Sequence, residues 1–158
     1  ALKPERIQKA FGNDATEKLW ELRRQFSGSL RSTGMKKLNE DIVIPRSRLV
    51  DLFTLSEQIQ KKFGIPVASF GHAGDGNIHV NLMLNPDDPK QKKNAEKALD
   101  LLFKQVIAWK GALTGEHGVG IAKMPWWAMA TTPELRGLHQ KVKKALDPQG
   151  ILNPGKFV

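Results

Sequence analysis

Three of the four histidines in this 158-residue sequence, His72, His79 and His117, fall in two short glycine-rich segments. One is Gly71 to Leu84, GHAGDGNIHVNLML; the other is Thr114 to Gly120, TGEHGVG. Two imidazoles and a carboxylate, here His72, His79 and Glu116, make a three-ligand set that leaves a coordination position open, as a catalytic zinc or manganese site requires. His-x6-His is no standard local motif, and a histidine taken singly is more often a hydrogen-bonded structural residue. His117, next to Glu116, has the side chain whose ordinary pKa suits a general base. The competing reading is a turn histidine bonded to backbone.

Other chemistries find less support. Asp75 in the GDGN turn is expected to stabilise that turn through an Asx-type bond. The glycine-rich segment leads into a strand rather than a helix N-terminus, so it does not have the context of a phosphate loop. No serine shares a motif with a histidine, and His139 falls on a C-terminal helix as a surface or packing residue.

The elements that would position these groups are legible from periodicity. Leu19, Leu22 and Phe26 recur at helical spacing in a helix from Pro4 to about Leu30, which Asp14 or Thr16 can cap and the break SGSLRSTG ends. Leu38 to Ile44 alternates and stops at Pro45, as a strand does. A helix over 46–62 carries Leu49, Leu52, Phe53, Leu55 and Ile59 on one stripe and ends at Gly64. Pro66 to Phe70 reads as a second strand. In Ile78 to Leu84, Ile78, Val80, Leu82 and Leu84 alternate with His79, Asn81 and Met83, so His79 and Asn81 share the face opposite the apolar set. A further amphipathic helix spans 91–110, Ala112 to Thr114 is a short strand, and helical signals return from Trp126 and again from Pro133 to Leu146. The order over 38–114 is β-α-β-β-α-β. The expected class is therefore α+β: a ferredoxin-like sheet with helices packed on one face and additional N- and C-terminal helices.

Composition bounds the partners. A single domain with 40% hydrophobic residues can bury a core. The absence of cysteine excludes disulfides, a thiol nucleophile and cysteine-ligated clusters. The formal net charge of +9 raises nucleic acid, anionic membrane and anionic small molecules as partners. The basic residues are scattered in small clusters without tyrosine or regular aromatic interleaving, so solvated helix faces are expected and nucleic acid is not. No apolar run reaches the roughly 20 residues of a membrane span. A cytoplasmic location is expected, with peripheral docking at the inner face of the membrane compatible with the charge. The chain begins without methionine and reads as part of something longer.

GHAGDGNIHVN, TGEHGVG and a third motif, Asp147 to Lys156 (DPQGILNPGK), occur in an order that resembles the C-terminal half of FAD-linked 2-hydroxyacid oxidases and dehydrogenases. This group, in the vanillyl-alcohol-oxidase superfamily, includes glycolate oxidase FAD subunits and the D-lactate and D-2-hydroxyglutarate dehydrogenases. The segment EDIVIPRSRL, Glu40 to Leu49, and the run LWELRRQFS also resemble that family.

The resemblance implies a substrate or cap domain over residues 1–158, with the FAD-binding domain supplied by sequence not present here. It implies that His72, His79 and Glu116 hold a divalent metal, zinc or manganese, and that His117 takes the hydroxyl proton while a hydride passes to FAD. Arg23 would pair with the substrate carboxylate, with Ser27 and Asn81 as further substrate contacts and Asn77 and Asn153 approaching the flavin. A lysine expected before the EDIVIP strand has no match at the family's offset, although Lys36 and Lys37 lie near. The implied partners are a small 2-hydroxy acid of the D-lactate or glycolate type, an electron acceptor the sequence does not identify, and a second copy in a homo-oligomer. The alternative reading is a stand-alone ferredoxin-like interaction module without catalytic activity.

Overall fold

The computed structural model describes residues 7–156, and within them the expected α+β class holds. Helix α1 spans Asn13–Arg31, strand β1 Lys36–Val43, helix α2 Leu49–Phe63, β2 Val67–His72, β3 Asn77–Leu84, α3 Pro89–Ala108, α4 Met124–Ala130 and α5 Pro133–Leu146. One 3-10 turn, Arg46–Arg48, links β1 to α2 after Pro45. The ends of the elements follow local chemistry. Gly64 closes α2 in the left-handed conformation, and Asp88 caps α3 by accepting the Lys90 N–H ahead of Pro89. Thr132 does the same for α5 through Leu135 N–H.

The sheet has the order β1-β3-β2, with β3 antiparallel to both neighbours. The register fixes what each face presents. Ile78, Val80 and Leu82 stand opposite Ile42, Glu40 and Leu38 on β1 and opposite Gly71, Ser69 and Val67 on β2. That face meets α2 and α3, whose Leu52, Leu55, Ile59, Ala95, Ala98, Leu102, Phe103 and Val106 complete the buried core. Helix α4 joins this layer through Trp126, whose ring lies 4.6 Å from that of Phe103. At about 25 cal/mol per Å² of apolar surface removed from water, this layer is what holds the fold together.

The opposite face carries Lys37, Asn39 and Asp41 from β1, His79, Asn81 and Met83 from β3, and Ala68 and Phe70 from β2. Helix α1 lies over it, bringing Phe26 edge-on to Phe70 at 5.8 Å and Ser27 to within 2.8 Å of Lys37 Nζ.

Three expectations change in detail. The sixth core element, Ala112 to Thr114, is one antiparallel bridge between Val43 and Ala112, because the next amides turn away to bind Asp41. Helix α1 runs through the serines to Arg31, Ser29 turning its hydroxyl back onto the Gln25 carbonyl, and of its expected stripe Leu22 and Phe26 are largely exposed. Phe53 of the α2 stripe is likewise exposed.

Candidate active site

The turn between β2 and β3 brings the first histidine segment into the sheet. Asp75 N–H bonds to the His72 carbonyl, so backbone rather than the Asp75 side chain closes it. Gly76 sits at φ 73°, where a Cβ would lie 2.1 Å from the Ile44 oxygen, and its own carbonyl accepts the Ile44 N–H. Only glycine meets both demands. Beyond this turn β3 places His79 and Asn81 on the α1 side, both buried. Asn81 Nδ2 donates to the carbonyls of Ala68 and His79, which directs its Oδ1 away from the ladder.

The second segment arrives from the far side of β1. Asp41 is fully buried on β1, directly across from His79 in the register. Its Oδ2 accepts the Thr114 hydroxyl at 2.9 Å and the N–H groups of Gly115, Glu116 and His117 at 2.8, 2.8 and 2.9 Å. Gly115 packs flat on Asn77, and a Cβ there would fall 2.8 Å from the Asn77 amide. Burial alone would raise the Asp41 pKa; the four donors overcome it and hold the carboxyl down at about 2.

These two elements bring three functional groups together. His79 Nε2 lies 3.2 Å from Glu116 Oε1, and His117 Nε2 lies 3.8 Å from the same oxygen. The imidazoles stack with centroids 5.5 Å apart. One ligand atom from each of His79, Glu116 and His117 lies within 4.8 Å of the others, a donor set of two nitrogens and one oxygen that fits a divalent transition metal. Burial pulls the His79 pKa below the ordinary imidazole value, against the Glu116 and Asp41 carboxylates, which favours the neutral ring a metal or substrate would meet. His79 Nδ1 is buried and unpartnered.

The ladder of rings continues outward. Phe70 lies 5.8 Å from His79, and the Arg23 guanidinium sits over Phe70 at 5.1 Å. Neighbouring Arg24 is engaged by Glu17 and Glu21 on the solvent side of α1, whereas Arg23 Nε is buried without a partner. Lys37 donates to Ser27 one turn further along α1, and burial lowers its pKa. Arg23 thus lies beside the ring ladder, and Ser27 and Lys37 continue that edge away from the imidazoles, Lys37 pairing across the sheet with Met83.

Some expected site residues lie outside this cluster. His72 is exposed at the end of β2 and is not among the groups that share the 4.8 Å spacing. Asn77 lies beneath Gly115 with a buried, unpartnered Oδ1. Asn153 is exposed at φ 46° in a closing turn organised by Asp147, which accepts the Ile151 and Leu152 N–H groups and the Lys143 ammonium. Sequence reasoning missed Asp41. Its signal was an acid doublet, Glu40-Asp41, directly before the apolar run Ile42 to Ile44.

The geometry can be set beside known proteins. The profile of the FAD-linked oxidases, C-terminal domain, matches residues 5–157. This chain belongs to that family. It is 33% identical over 151 residues to the glycolate oxidase subunit GlcD of Bacillus subtilis, covering 96% of this chain and 32% of that protein. It is 30% identical over 147 residues to a mitochondrial D-lactate dehydrogenase [cytochrome] of Arabidopsis thaliana, covering 92% of this chain and 26% of the relative. The corresponding Kluyveromyces lactis enzyme is 33% identical over 154 residues, with coverage of 94% and 26%. The chain therefore spans about a third or less of the length of these relatives. Among its described residues no helix is long and apolar enough to cross a membrane.

Proposed function

We propose that this family domain forms the substrate wall of an FAD-dependent oxidoreductase that oxidises a small 2-hydroxy acid, of the D-lactate or glycolate type, to the 2-oxo acid. The observation that carries the reading is the convergence of His79, Glu116 and His117 near Arg23, whose Nε is buried without a hydrogen-bond partner. A 2-hydroxy acid has a carboxylate and an adjacent hydroxyl. The guanidinium of Arg23 suits the carboxylate as a charge-assisted donor, and Lys37 and Ser27 stand at the same edge. Asn81 offers its Oδ1 to the substrate from the strand floor.

With the hydroxyl near the imidazoles, His117 takes its proton. The α-hydrogen departs with its bonding pair, and the carbon–oxygen double bond of the product forms. FAD, when bound, supplies the acceptor for that hydride, and a separate electron acceptor reoxidises it. Asn77 and Asn153 would be the contacts of this domain to the flavin.

A divalent zinc or manganese would be held by His79 and Glu116 with one more imidazole, and would supply polarisation of the hydroxyl oxygen. In this structure the imidazole that shares their 4.8 Å spacing is His117, so a base role for His117 requires that His72, which stands outside the cluster, take the third position, because an imidazole nitrogen bound to a metal cannot at the same time accept a proton.

The test is His117→Ala in the full-length enzyme, followed by anaerobic flavin reduction and elemental analysis. The expected outcome is a fall of roughly 10³-fold in the reduction rate, within the range of a lost general base, with FAD and metal retained. Near-normal reduction sinks the base assignment. Loss of metal together with rate moves His117 into the ligand set. A wild-type flavin that no 2-hydroxy acid reduces returns the domain to the reading of an interaction module.

A further inference from the structure

We propose that Asp41 is a positioning residue for the Glu116–His117 pair: one buried carboxylate oxygen sets the direction in which both functional side chains leave the backbone. The proposal rests on the functional reading above for its catalytic consequence, and on geometry alone for its structural part.

The TGEHGVG loop has little else to hold it. Residues 115–118 are exposed, and only Leu113 and Val119 at its ends are buried apolar anchors. A glycine-rich loop with so few apolar contacts samples many conformations unless its backbone is tied. The tie comes from β1, some 73 to 76 positions away in sequence. Three successive N–H groups and one hydroxyl converge on Asp41 Oδ2, an arrangement in which consecutive amides form an anion-binding concavity. Fixing those three peptide planes fixes the Cα–Cβ directions of Glu116 and His117. That leaves Glu116 Oε1 at 3.2 Å from His79 Nε2 and 3.8 Å from His117 Nε2.

Asp41 is itself immobile. It lies in the ladder with β3, is fully buried, and its backbone carbonyl accepts the buried Lys123 ammonium at 2.7 Å. Lys123 starts the segment that leads into α4, so both ends of the connection from Thr114 to α4 are pinned to this one residue. The hydrogen bonds of Asp41 Oδ2 reach the site through the Thr114 hydroxyl and the loop backbone, not through the Glu116 or His117 side chains.

Asparagine keeps the shape and one acceptor oxygen but loses the charge, and charge-assisted hydrogen bonds are roughly twice as strong as neutral ones. Alanine removes the acceptor altogether. The experiment compares Asp41→Ala and Asp41→Asn with wild type in the full-length flavoprotein. It reads amide hydrogen exchange at residues 115–117, FAD content, and single-turnover flavin reduction as a function of D-lactate or glycolate concentration.

In Asp41→Ala the three amides are expected to lose protection by roughly 10- to 100-fold. The limiting reduction rate should fall about 100-fold, the scale of an ångström-sized misplacement of a catalytic group. The half-saturating substrate concentration should stay within about threefold, because Arg23 and Lys37 are not touched. Asp41→Asn should recover part of both losses. Unchanged protection of these amides in Asp41→Ala overturns the proposal, as does a weakened substrate affinity with the limiting rate intact. If Asp41→Ala does not fold, Asp41→Asn decides: protection and rate both at wild-type values overturn it. A wild-type enzyme that no 2-hydroxy acid reduces would instead remove the functional reading, and the exchange arm would still decide whether Asp41 holds the loop.

Discussion

Glu40 and Asp41 are neighbours on β1, yet they point to opposite faces of the sheet and their pKa values move in opposite directions. Glu40 faces the α2–α3 side, where burial pushes its carboxyl up, against the nearby Lys123. Asp41 faces the α1 side, where four donors bring its carboxyl down to about 2. The contrast holds for the faces as wholes. The α2–α3 face is a closed apolar core, and Ser69 Oγ is its one buried side-chain atom of the sheet without a partner among the described residues. On the α1 side Asn39 Oδ1, Asp41 Oδ1, Asn77 Oδ1, His79 Nδ1, Asn81 Oδ1 and Arg23 Nε are all buried and unpartnered. Unsatisfied buried polar atoms each cost about 1–3 kcal/mol, so a cluster of them marks a surface organised to receive polar partners from elsewhere. One face makes the fold, and the other carries the buried polar atoms left without partners among the described residues.

The comparison breaks first at the core. Phe103→Ala removes a fully buried ring packed against Trp126 and should cost about 3–5 kcal/mol in urea unfolding of the full-length protein. The matched change on the other face, His79→Leu, exchanges a ring with an orphaned nitrogen for an apolar group. It should shift stability by no more than about 1 kcal/mol while abolishing flavin reduction. Equal stability losses in the two variants would erase the distinction between the faces.

How much of this could be read from sequence follows the same divide. The core was legible because Ile78, Val80, Leu82 and Leu84 alternate with a period of two and the α3 stripe recurs with a period near four. The shared face of His79 and Asn81 came from the same arithmetic, and the Glu116-His117 pair could be matched to it by residue type. Asp41 was not legible. A carboxylate that organises a loop through backbone amides more than 70 positions away leaves no periodic trace, and the donors are main-chain groups that every sequence has. The fourth strand failed for the same reason, since the amides expected to extend it past Ala112 are the ones Asp41 takes. The exposure of Leu22 and Phe26 on α1 was equally hidden, because helical spacing shows that a stripe exists and not what covers it.

The two acids then sharpen the comparison through pH. For Asp41 the folded value lies below the ordinary 3.8, so its contribution is fully present above about pH 4 and is lost as pH falls toward 2. A shift of that size corresponds to roughly 2 kcal/mol. Unfolding free energies measured between pH 5 and pH 2 should therefore drop less steeply in Asp41→Asn than in wild type. Parallel curves would mean that the loop amides do not depend on the charge.

Glu40 should give the smallest effect and the opposite slope. Its folded pKa lies above the ordinary 4.5, so the folded protein favours the protonated acid. Stability from this group is present at low pH and declines as pH rises from 4.5 through the folded value. Glu40→Gln removes that decline, since an amide of the same shape does not ionise. Part of the gain is offset, because the buried Lys123 loses a nearby opposite charge, and burial already lowers its pKa. The variant should thus gain stability relative to wild type as pH rises from 4.5 to 7, with little difference at the acid end. Profiles of Glu40→Gln and wild type that run parallel across this window would show that Glu40 ionises without penalty, and that the α2–α3 face is wetter at its β1 edge than its burial indicates.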